Sequence, residues 1–284
     1  MMLSDHLRDA VARIRAGGVD HARLTAEVLL GHVLGLSRAQ VLARLERDLG
    51  EAERARFEAL VGRAANGEPL AYLTGQREFF GLDFEVTPDV LVPRPETELL
   101  VERALAVLGA GPVHVVDVGT GSGIIAVTLA ARRPLAHVTA LDVSPAALTV
   151  ARRNAERLGV GERVSFRQQD LLDPAPEAAD LICANLPYIP AADLAALDVS
   201  RHEPRLALDG GPDGLDLIRR LVAQAVTVLA AQGGLLLEIE ARQGPAVAAL
   251  CASAFPGAAI EIVRDLAGLD RVVQVRPLPY LSRT

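Results

Sequence analysis

From Val113 to Arg276, apolar runs of strand length alternate with stretches of helical periodicity. Strands are predicted at 113–118, 137–142, 163–167, 180–184, 234–240 and 271–276, with helices near 123–132, 145–158, 214–231 and 244–254. Strands that alternate with helices favour a parallel sheet, because each helix carries the chain back across one face of the sheet. This region is therefore predicted to be an α/β domain with an open, mostly parallel, Rossmann-like sheet.

Residues 1–75 follow another pattern, in which apolar residues recur at helical spacing and glycines separate the segments. The pattern predicts four amphipathic helices with short connections, and Asp20 and Ser37 are predicted to cap the second and the third of them. Four such helices form a small bundle.

Residues 76–94 change character again. Alternating apolar residues around Gly81 predict a β-hairpin, and the prolines of Pro93–Glu98 block a helix until the acids of that segment open one at Leu99. Three parts are therefore expected: an N-terminal helical domain (1–75), a hairpin linker (76–94) and the α/β domain (95–284).

The first predicted strand of the α/β domain ends at Asp117 and Val118 and leads into the glycine loop Gly119-Thr120-Gly121-Ser122-Gly123. Glycines allow a tight turn and let backbone N–H groups approach a ligand. A dinucleotide loop would read Gly-x-Gly-x-x-Gly, whereas the sixth position here is Ile124. The Asp117 carboxylate would repel a pyrophosphate but suits the cationic end of a sulfonium amino acid.

Two further acids follow neighbouring strands. Asp142 ends the next strand, about twenty residues after the loop, where an acid can accept both ribose hydroxyls of a nucleotide. Asp170, beyond the third strand, can meet an adenine amine, with Leu171 beside the ring. The alternative is that the loop is only a tight turn and the acids are helix caps. A glycine loop followed by an acid at the next strand end favours the cofactor interpretation.

The fourth predicted strand ends in Asn185-Leu186-Pro187-Tyr188. The nitrogen of a carboxamide or an aromatic amine is a poor nucleophile, because its lone pair is conjugated. The side-chain oxygen of Asn185 and the backbone carbonyl of Leu186 can accept its two N–H groups, while Pro187 stiffens the loop and Tyr188 stacks on the planar group. The segment is thus predicted to clamp a planar NH2 group; the alternative is an Asn-x-Pro turn that ends a strand.

Composition bears on the partners. The net charge is −7, all 29 basic residues are arginine, and residues 1–75 carry ten arginines against ten acids. No strong electrostatic footprint for nucleic acid is therefore present, and no direct nucleic-acid partner is expected. The absence of a large apolar stripe favours a monomer.

Cys183 and Cys251 lie in apolar contexts without a Cys-x-x-Cys spacing, and the histidines form no His-x-x-x-His pair. Buried core cysteines and no metal site are expected. The first residues include two acids and no continuous apolar segment, so no signal peptide is expected, and the longest uncharged stretch, 221–237, is broken by polar residues and two glycines. A cytoplasmic protein without a membrane segment is expected.

Together with the loop and the clamp, several longer motifs make the chain resemble, over nearly its whole length, the HemK-type family of peptide-chain-release-factor glutamine methyltransferases. These motifs are Arg77–Phe84, Val92–Glu98, Asp142–Leu148, Glu203–Leu208, Gly210–Leu215 and Asp265–Gly268. The resemblance implies the seven-stranded class I methyltransferase fold behind a helical N-terminal domain. It also implies S-adenosylmethionine as cofactor and, as substrate, the Gly-Gly-Gln glutamine of class I release factors, methylated on its side-chain amide.

By the same resemblance, Gly119–Gly123, Asp142 and Asn185 contact the cofactor, and Asn185–Tyr188 hold the glutamine. The N-terminal helices and the hairpin help to dock the release factor. Two positions depart from the family: Leu186 replaces its usual proline, and Glu240 stands where glycine is common.

Three hypotheses follow for the function. The leading one is a protein glutamine methyltransferase. The second is a nucleic-acid adenine methyltransferase, because Asn-Leu-Pro-Tyr is also similar to the clamp of ribosomal-RNA adenine dimethyltransferases and adenine presents the same planar NH2. The third is a non-catalytic partner protein that retains the fold.

Overall fold

The computed structural model describes residues 2–197 and 201–276. The chain divides into two compact units, Met1–Gln76 and Arg77–Thr284. The last residues of the predicted α/β domain, 277–284, lie outside the described residues.

The first unit is helical. Its elements are α1 (Leu3–Ala16), α2 (Ala22–Leu34), α3 (Arg38–Leu42), α4 (Glu51–Ala65) and α5 (Leu70–Thr74). The four predicted helices are all present, and the short α5 was not predicted. Each of the longer helices turns one apolar face inward, and Leu3, Ile14, Leu29, Leu30 and Phe57 are completely buried or nearly so.

Of the two predicted caps, one is confirmed. The Ser37 hydroxyl accepts a hydrogen bond from the Gln40 N–H (3.2 Å), and the Gln40 side chain accepts one from the Ser37 N–H (2.9 Å), which forms a capping box. The cap at Asp20 was wrong. The first helical hydrogen bond of α2 starts from the carbonyl of His21, one residue later, and α2 has no side-chain cap.

The second unit holds a hairpin and an α/β sheet. Its elements are β1 (Gln76–Phe79, which begins at the last residue of the first unit), β2 (Leu82–Glu85), α6 (Thr97–Val107), β3 (Val113–Val118), α7 (Ile124–Arg132), β4 (Ala136–Asp142), α8 (Pro145–Arg157), β5 (Val164–Gln168), β6 (Ala179–Ala184), α9 (Asp216–Val228), β7 (Leu229–Glu238), α10 (Gly244–Ala254), β8 (Ala259–Arg264) and β9 (Asp270–Arg276). Strands β1 and β2 form a separate two-stranded sheet. Every predicted strand and helix of this region is present, and β8 was missed.

The main sheet has seven strands in the order β5-β4-β3-β6-β7-β9-β8. Strands β3 to β7 are parallel, and β9 and β8 complete the edge in antiparallel pairing. This is the seven-stranded class I methyltransferase sheet, so the predicted fold class is confirmed. The strand order reverses direction between β3 and β6, and in such sheets the crevice beyond the carboxyl ends at that point binds ligands.

The helices bury both faces of the sheet. On one face α6 and α7 cover Val115 and Cys183, and on the other α9 and α10 cover Val116 and Ile182. Both cysteines are free and fully buried, as predicted. Within the described ranges, no helix is long and apolar enough to cross a lipid bilayer, and no three side chains of the metal-ligating types come together.

Candidate functional site

A cavity of about 390 Å³ opens beyond the carboxyl ends of β3, β4 and β6. This volume is within the range of small-molecule sites. The lining comes from the stretch before α6 and the first residue of that helix, the loop after β3, the turn after β4, the turn after β5, the clamp after β6, the loop at 204–207 and α9. The predicted site residues that line it are Gly119, Thr120, Gly121, Ser122, Asp142, Asp170, Leu171, Asn185, Leu186 and Pro187. The topology thus brings together residues that lie up to 68 positions apart in the chain.

Two predicted site residues are absent from the cavity lining formed by the described residues. Gly123 is the residue before α7, with a φ of 84°, and its N–H donates to the Thr120 carbonyl at 2.8 Å. Tyr188 lies behind the clamp, where its carbonyl accepts a hydrogen bond from the Gln243 amide (3.0 Å). Burial raises the pKa of the Tyr188 phenol to about 12, so the phenol is neutral at physiological pH.

The glycine loop uses its own N–H groups internally. The N–H groups of Gly119 and Thr120 donate to the Leu141 carbonyl (2.8 and 2.9 Å). The N–H of Gly121 donates to the Asp142 carboxylate at 2.9 Å. The expectation that loop N–H groups face a ligand therefore fails at these positions and at Gly123. A loop with its donors occupied is a poor phosphate cradle, which argues for a cofactor without a pyrophosphate.

Asp117 lies beneath this loop, fully buried, and does not line the cavity. Its Oδ2 accepts hydrogen bonds from the Thr120 hydroxyl (2.6 Å) and the Ala126 N–H (3.2 Å), so the carboxylate ties the loop to α7. Its Oδ1 has no hydrogen-bond partner among the described residues. Burial is the main cause that raises the pKa of Asp117 to about 7, and the nearby Asp142 raises it further.

This raised pKa makes the stability of the cofactor-free protein pH-dependent. A carboxyl whose folded pKa exceeds its unfolded value stabilises the fold fully below the unfolded pKa, and this stabilisation is lost as pH rises through the folded pKa. The gap between 3.8 and about 7 corresponds to roughly 4 kcal/mol. Asp117→Asn should therefore flatten the fall in unfolding free energy between about pH 4 and pH 7, measured by urea denaturation. Glu102→Gln, on the exposed side of α6, is the control; equal slopes in both variants would contradict this role of Asp117.

Asp142 holds two backbone segments at once. Its Oδ2 accepts from Gly121 N–H and its Oδ1 from Ser144 N–H (2.8 Å). Burial raises the pKa of Asp142 above its ordinary value, although these hydrogen bonds partly offset the rise. A carboxylate has about four acceptor sites, so both oxygens can still accept a hydroxyl from the cavity.

The turn after β5 carries Asp170 and Leu171. The Asp170 Oδ2 pairs with Arg220 of α9 at 2.6 Å, and both side chains are about half exposed at the cavity. Leu171 has a φ of 54°, which is uncommon for a residue other than glycine. Strained backbone of this kind is concentrated at binding sites.

In the clamp, the Asn185 Nδ2 donates to the Thr97 hydroxyl at the start of α6 (3.1 Å). The Leu186 side chain is buried against Gly119, where an added Cβ would come within 3.0 Å of the leucine Cδ2. Leucine thus fills the space between the clamp and the glycine loop. Leu186, which stands where the family usually has proline, therefore has a packing role in this structure.

The loop Gly210–Leu215 supports the clamp from behind. The Gly210 N–H donates to the Ile189 carbonyl at 2.8 Å, and Gln243 donates to the carbonyls of Tyr188 and Gly214. A Cβ on Gly214 would lie 2.2 Å from the Tyr188 carbonyl oxygen. This contact explains why the Gly-Gly-Pro-Asp-Gly-Leu segment needs glycine there.

Gly214→Ala should therefore displace the clamp and lower activity by roughly 100-fold, the scale of a misplaced reacting group. Gly257→Ala is a matched control, because Gly257 has a similar φ (84° against 78°) but no described heavy atom within 4 Å of an added Cβ. Both variants carry the same backbone strain, so their melting temperatures should fall by the same amount if this strain is the sole cause of destabilisation. Equal activity in the two variants would show that the contact with Tyr188 does not position the clamp.

Sequence reasoning missed four residues at this site: Thr97 and Glu238, which lie behind Asn185, and the ion pair of Arg94 with Glu203. Arg94 donates to Glu203 at 2.6 Å, and the same carboxylate accepts the Val92 N–H at 2.9 Å, which ties the stretch before α6 to the loop near Pro204. The sequence carries a weak signal for these residues. Glu203 and Thr97 occur in the motifs quoted above, and Glu238 is an acid that ends a buried apolar strand.

Comparison with known proteins relates both parts of the chain to the same family. Residues 5–75 match the family described as PrmC N-terminal domain, and residues 112–254 match the one described as methyltransferase domain. The release factor glutamine methyltransferase of Moorella thermoacetica is 48% identical over 274 residues, which cover 95% of this chain and 97% of that protein. Its counterpart in Cereibacter sphaeroides is 46% identical over 278 residues, covering 97% and 99% of the two chains.

Among solved structures, the T. thermophilus 16S rRNA N2 G1207 methyltransferase in complex with AdoMet and guanosine superposes with a TM-score of 0.52. It is 18% identical, and the match covers 72% of this chain and 50% of that one. At this identity the likeness shows the fold alone. The full-length relatives at nearly half identity show more: the chain belongs to the release factor glutamine methyltransferase family.

Proposed function

We propose that this protein transfers a methyl group from S-adenosylmethionine to the side-chain amide nitrogen of the glutamine in the Gly-Gly-Gln motif of class I release factors. Family membership supports the substrate. The observation that carries the proposal is that the Asn185 clamp lines the same cavity as Asp142 and the glycine loop. A planar amide held by the clamp and a nucleoside held by the loop and the acid would therefore meet in one space.

The residues present fit this cofactor. The Asp142 carboxylate offers acceptors for ribose hydroxyls, Asp170 for the adenine amine, and Leu171 and Leu217 offer apolar surface for the ring. The N–H groups of Gly119, Thr120, Gly121 and Gly123 are occupied, which suits a cofactor without phosphates. The buried Asp117 lies beneath the loop without lining the cavity; its pKa of about 7 leaves it partly ionised near neutral pH, and a nearby cationic ligand would favour the ionised form. The bound cofactor supplies a methyl group on a sulfonium, which is already activated toward a nucleophile.

The protein's own contribution is then to hold and shield the attacking nitrogen. The Asn185 Oδ1 and the Leu186 carbonyl accept the two N–H groups of the glutamine amide, which fixes the nitrogen and weakens its conjugation. Positioning of this kind, away from bulk water, lowers the barrier without a strong base. The nitrogen becomes acidic as it gains the methyl group and gives its proton to solvent. Tyr188 stays a proposed contact of the substrate's planar amide.

We also propose that residues 1–75 help to dock the release factor, and that the enzyme works as a cytoplasmic monomer without a nucleic-acid substrate. Light scattering of the pure protein tests the monomer. A dimer that persists at micromolar concentration would contradict it.

The test of the function is transfer of label from S-adenosylmethionine to a purified class I release factor, its Gly-Gly-Ala variant and ribosomal RNA. We expect label on the wild-type factor alone. Label on the Gly-Gly-Ala factor would indicate that the enzyme methylates a residue other than this glutamine. Label on RNA alone would support adenine as the substrate instead.

A further inference from the structure

Glu238 is a buried acidic residue at the sheet edge that carries the clamp. It ends β7, follows three buried leucines, and its own side chain is only about 2% exposed. Its Oε2 has no hydrogen-bond partner in the part of the chain that the structure describes. Burial of a carboxylate without full pairing is unfavourable. Here burial is the main cause that raises the pKa of Glu238 to about 7.

The sheet places this carboxylate next to the clamp. Strands β6 and β7 are parallel neighbours with Ala184 opposite Leu237, so Asn185 and Glu238 follow side by side at the same sheet edge. Thr97, the first residue of α6, is completely buried above them and accepts the Asn185 Nδ2 hydrogen bond. Hydrogen bonds from Thr97 and Asn185 both lower the pKa of Glu238, so both groups donate toward the carboxylate.

The chemistry of a hydroxyl gives this chain of hydrogen bonds a direction. Thr97 has one hydroxyl hydrogen, and once that hydrogen is donated to Glu238, only lone pairs remain to meet Asn185. The NH2 end of the Asn185 amide must then face Thr97 and Glu238, which leaves its carbonyl oxygen for the cavity. The reverse orientation would present an NH2 group to the NH2 group of the substrate.

We propose that Glu238 and Thr97 are positioning residues that fix the orientation of the Asn185 side-chain amide, so that its oxygen faces the NH2 of the substrate. This inference deepens the proposed function and rests on it. Glu238 does not line the cavity, and Thr97 lines it with a side chain that is completely buried; both act through Asn185. This role also gives a reason for the threonine within the segment Pro93–Glu98.

Protonation of Glu238 should weaken the fixed orientation of the Asn185 side-chain amide. A protonated Glu238 can donate to Thr97, whose hydroxyl is then free to donate to the Asn185 oxygen and compete with the substrate. The charged neighbours are Glu96 before α6, which raises the pKa of Glu238, and Arg271 of β9, which lowers it; Tyr188 faces it as a neutral phenol. The maximal rate should therefore fall as pH drops below about 7, and Glu238→Gln should flatten this fall.

The experiment compares Thr97→Val, Thr97→Ser and Glu238→Gln with the control Thr128→Val. Thr128 is a completely buried threonine on α7 whose hydroxyl makes no hydrogen bond to the described residues. Thr97→Val should lower kcat for the release factor by roughly 100-fold, with KM and the calorimetric affinity for S-adenosylmethionine close to wild type. Thr97→Ser should restore most of the rate, and Thr128→Val should leave it unchanged.

A second readout needs no turnover. The side-chain NH2 resonances of Asn185, identified by their loss in Asn185→Asp, should shift in Thr97→Val and stay in place in Thr128→Val. Wild-type kcat in Thr97→Val, or equal losses in Thr97→Val and Thr128→Val, would overturn the proposal. If wild-type enzyme fails to methylate the Gly-Gly-Gln glutamine, the proposed function is wrong, and unmoved NH2 resonances would separately refute the positioning role.

Discussion

Asn185→Ala should lower methyl transfer to the release factor by roughly 10²- to 10³-fold, the usual cost of removing one group that is aimed at the reacting centre. The variant loses the side-chain acceptor that holds the substrate amide and keeps the backbone carbonyl of Leu186. Its fold should survive, because the half-buried side chain donates to the Thr97 hydroxyl and toward the Glu238 carboxylate, and each such bond contributes about 1 kcal/mol. Rates with labelled cofactor and thermal melts measure the two effects.

Asn154→Ala is an instructive contrast within the same unit. The Asn154 side chain is completely buried and hydrogen-bonds both the N–H and the carbonyl of Glu85 (2.7 and 2.9 Å) and the Ser122 carbonyl (2.9 Å). Its loss leaves buried backbone groups unpaired, so this variant should lose more stability than Asn185→Ala. If Asn185→Ala melts as early as Asn154→Ala, its lost activity reflects unfolding and the clamp role is unsupported.

Asp142→Ala should weaken S-adenosylmethionine binding by about 100-fold or more. The carboxylate both accepts the proposed ribose hydroxyls and holds the Gly121 and Ser144 N–H groups. Two charge-assisted hydrogen bonds at about 1.5 kcal/mol each correspond to this factor. Isothermal titration calorimetry of the free enzyme with S-adenosylmethionine measures it without any substrate.

The matched control is Glu102→Ala, which removes the same charge from the exposed face of α6. Its affinity should equal that of the wild type, because exposed charges far from a site are screened. An Asp142→Ala enzyme with unchanged affinity would place the nucleoside elsewhere. An equal loss in both variants would indicate that net charge, and not the Asp142 contacts, governs binding.

The order of strands and helices was predictable because the strands of a parallel sheet are apolar throughout and stand out from amphipathic helices. Strand β8 was missed because it is an edge strand: its residues are half-buried or exposed, and Glu261 interrupts the apolar pattern. The boundary between α9 and β7 was also misplaced. Residues 229–232 were divided between a predicted helix and a loop, whereas they begin β7, and their Leu-Ala-Ala-Gln sequence suits a helix as well as a strand.

The residues of the candidate site also fall into two groups, those that the sequence pattern predicts and those that depend on tertiary contacts. Gly119–Gly123 and Asn185 follow strands and Asp142 ends one, so a parallel sheet alone predicts that they share one edge. Thr97 and Glu238 required knowledge of which strand neighbours β6 and which helix covers that face. The contact between Asn185 and Thr97 spans 88 positions, and no periodicity in the sequence encodes it. The internal use of the loop N–H groups likewise depends on the exact path of the backbone after β3.

The most direct test of the proposed function is tandem mass spectrometry of the release factor after incubation with the enzyme and S-adenosylmethionine. We expect one added methyl group, located by fragmentation on the side chain of the Gly-Gly-Gln glutamine, and its absence when Asn185→Ala replaces the wild-type enzyme. A methyl group on any other residue, or an unmodified factor beside methylated RNA, would contradict glutamine methylation by this protein.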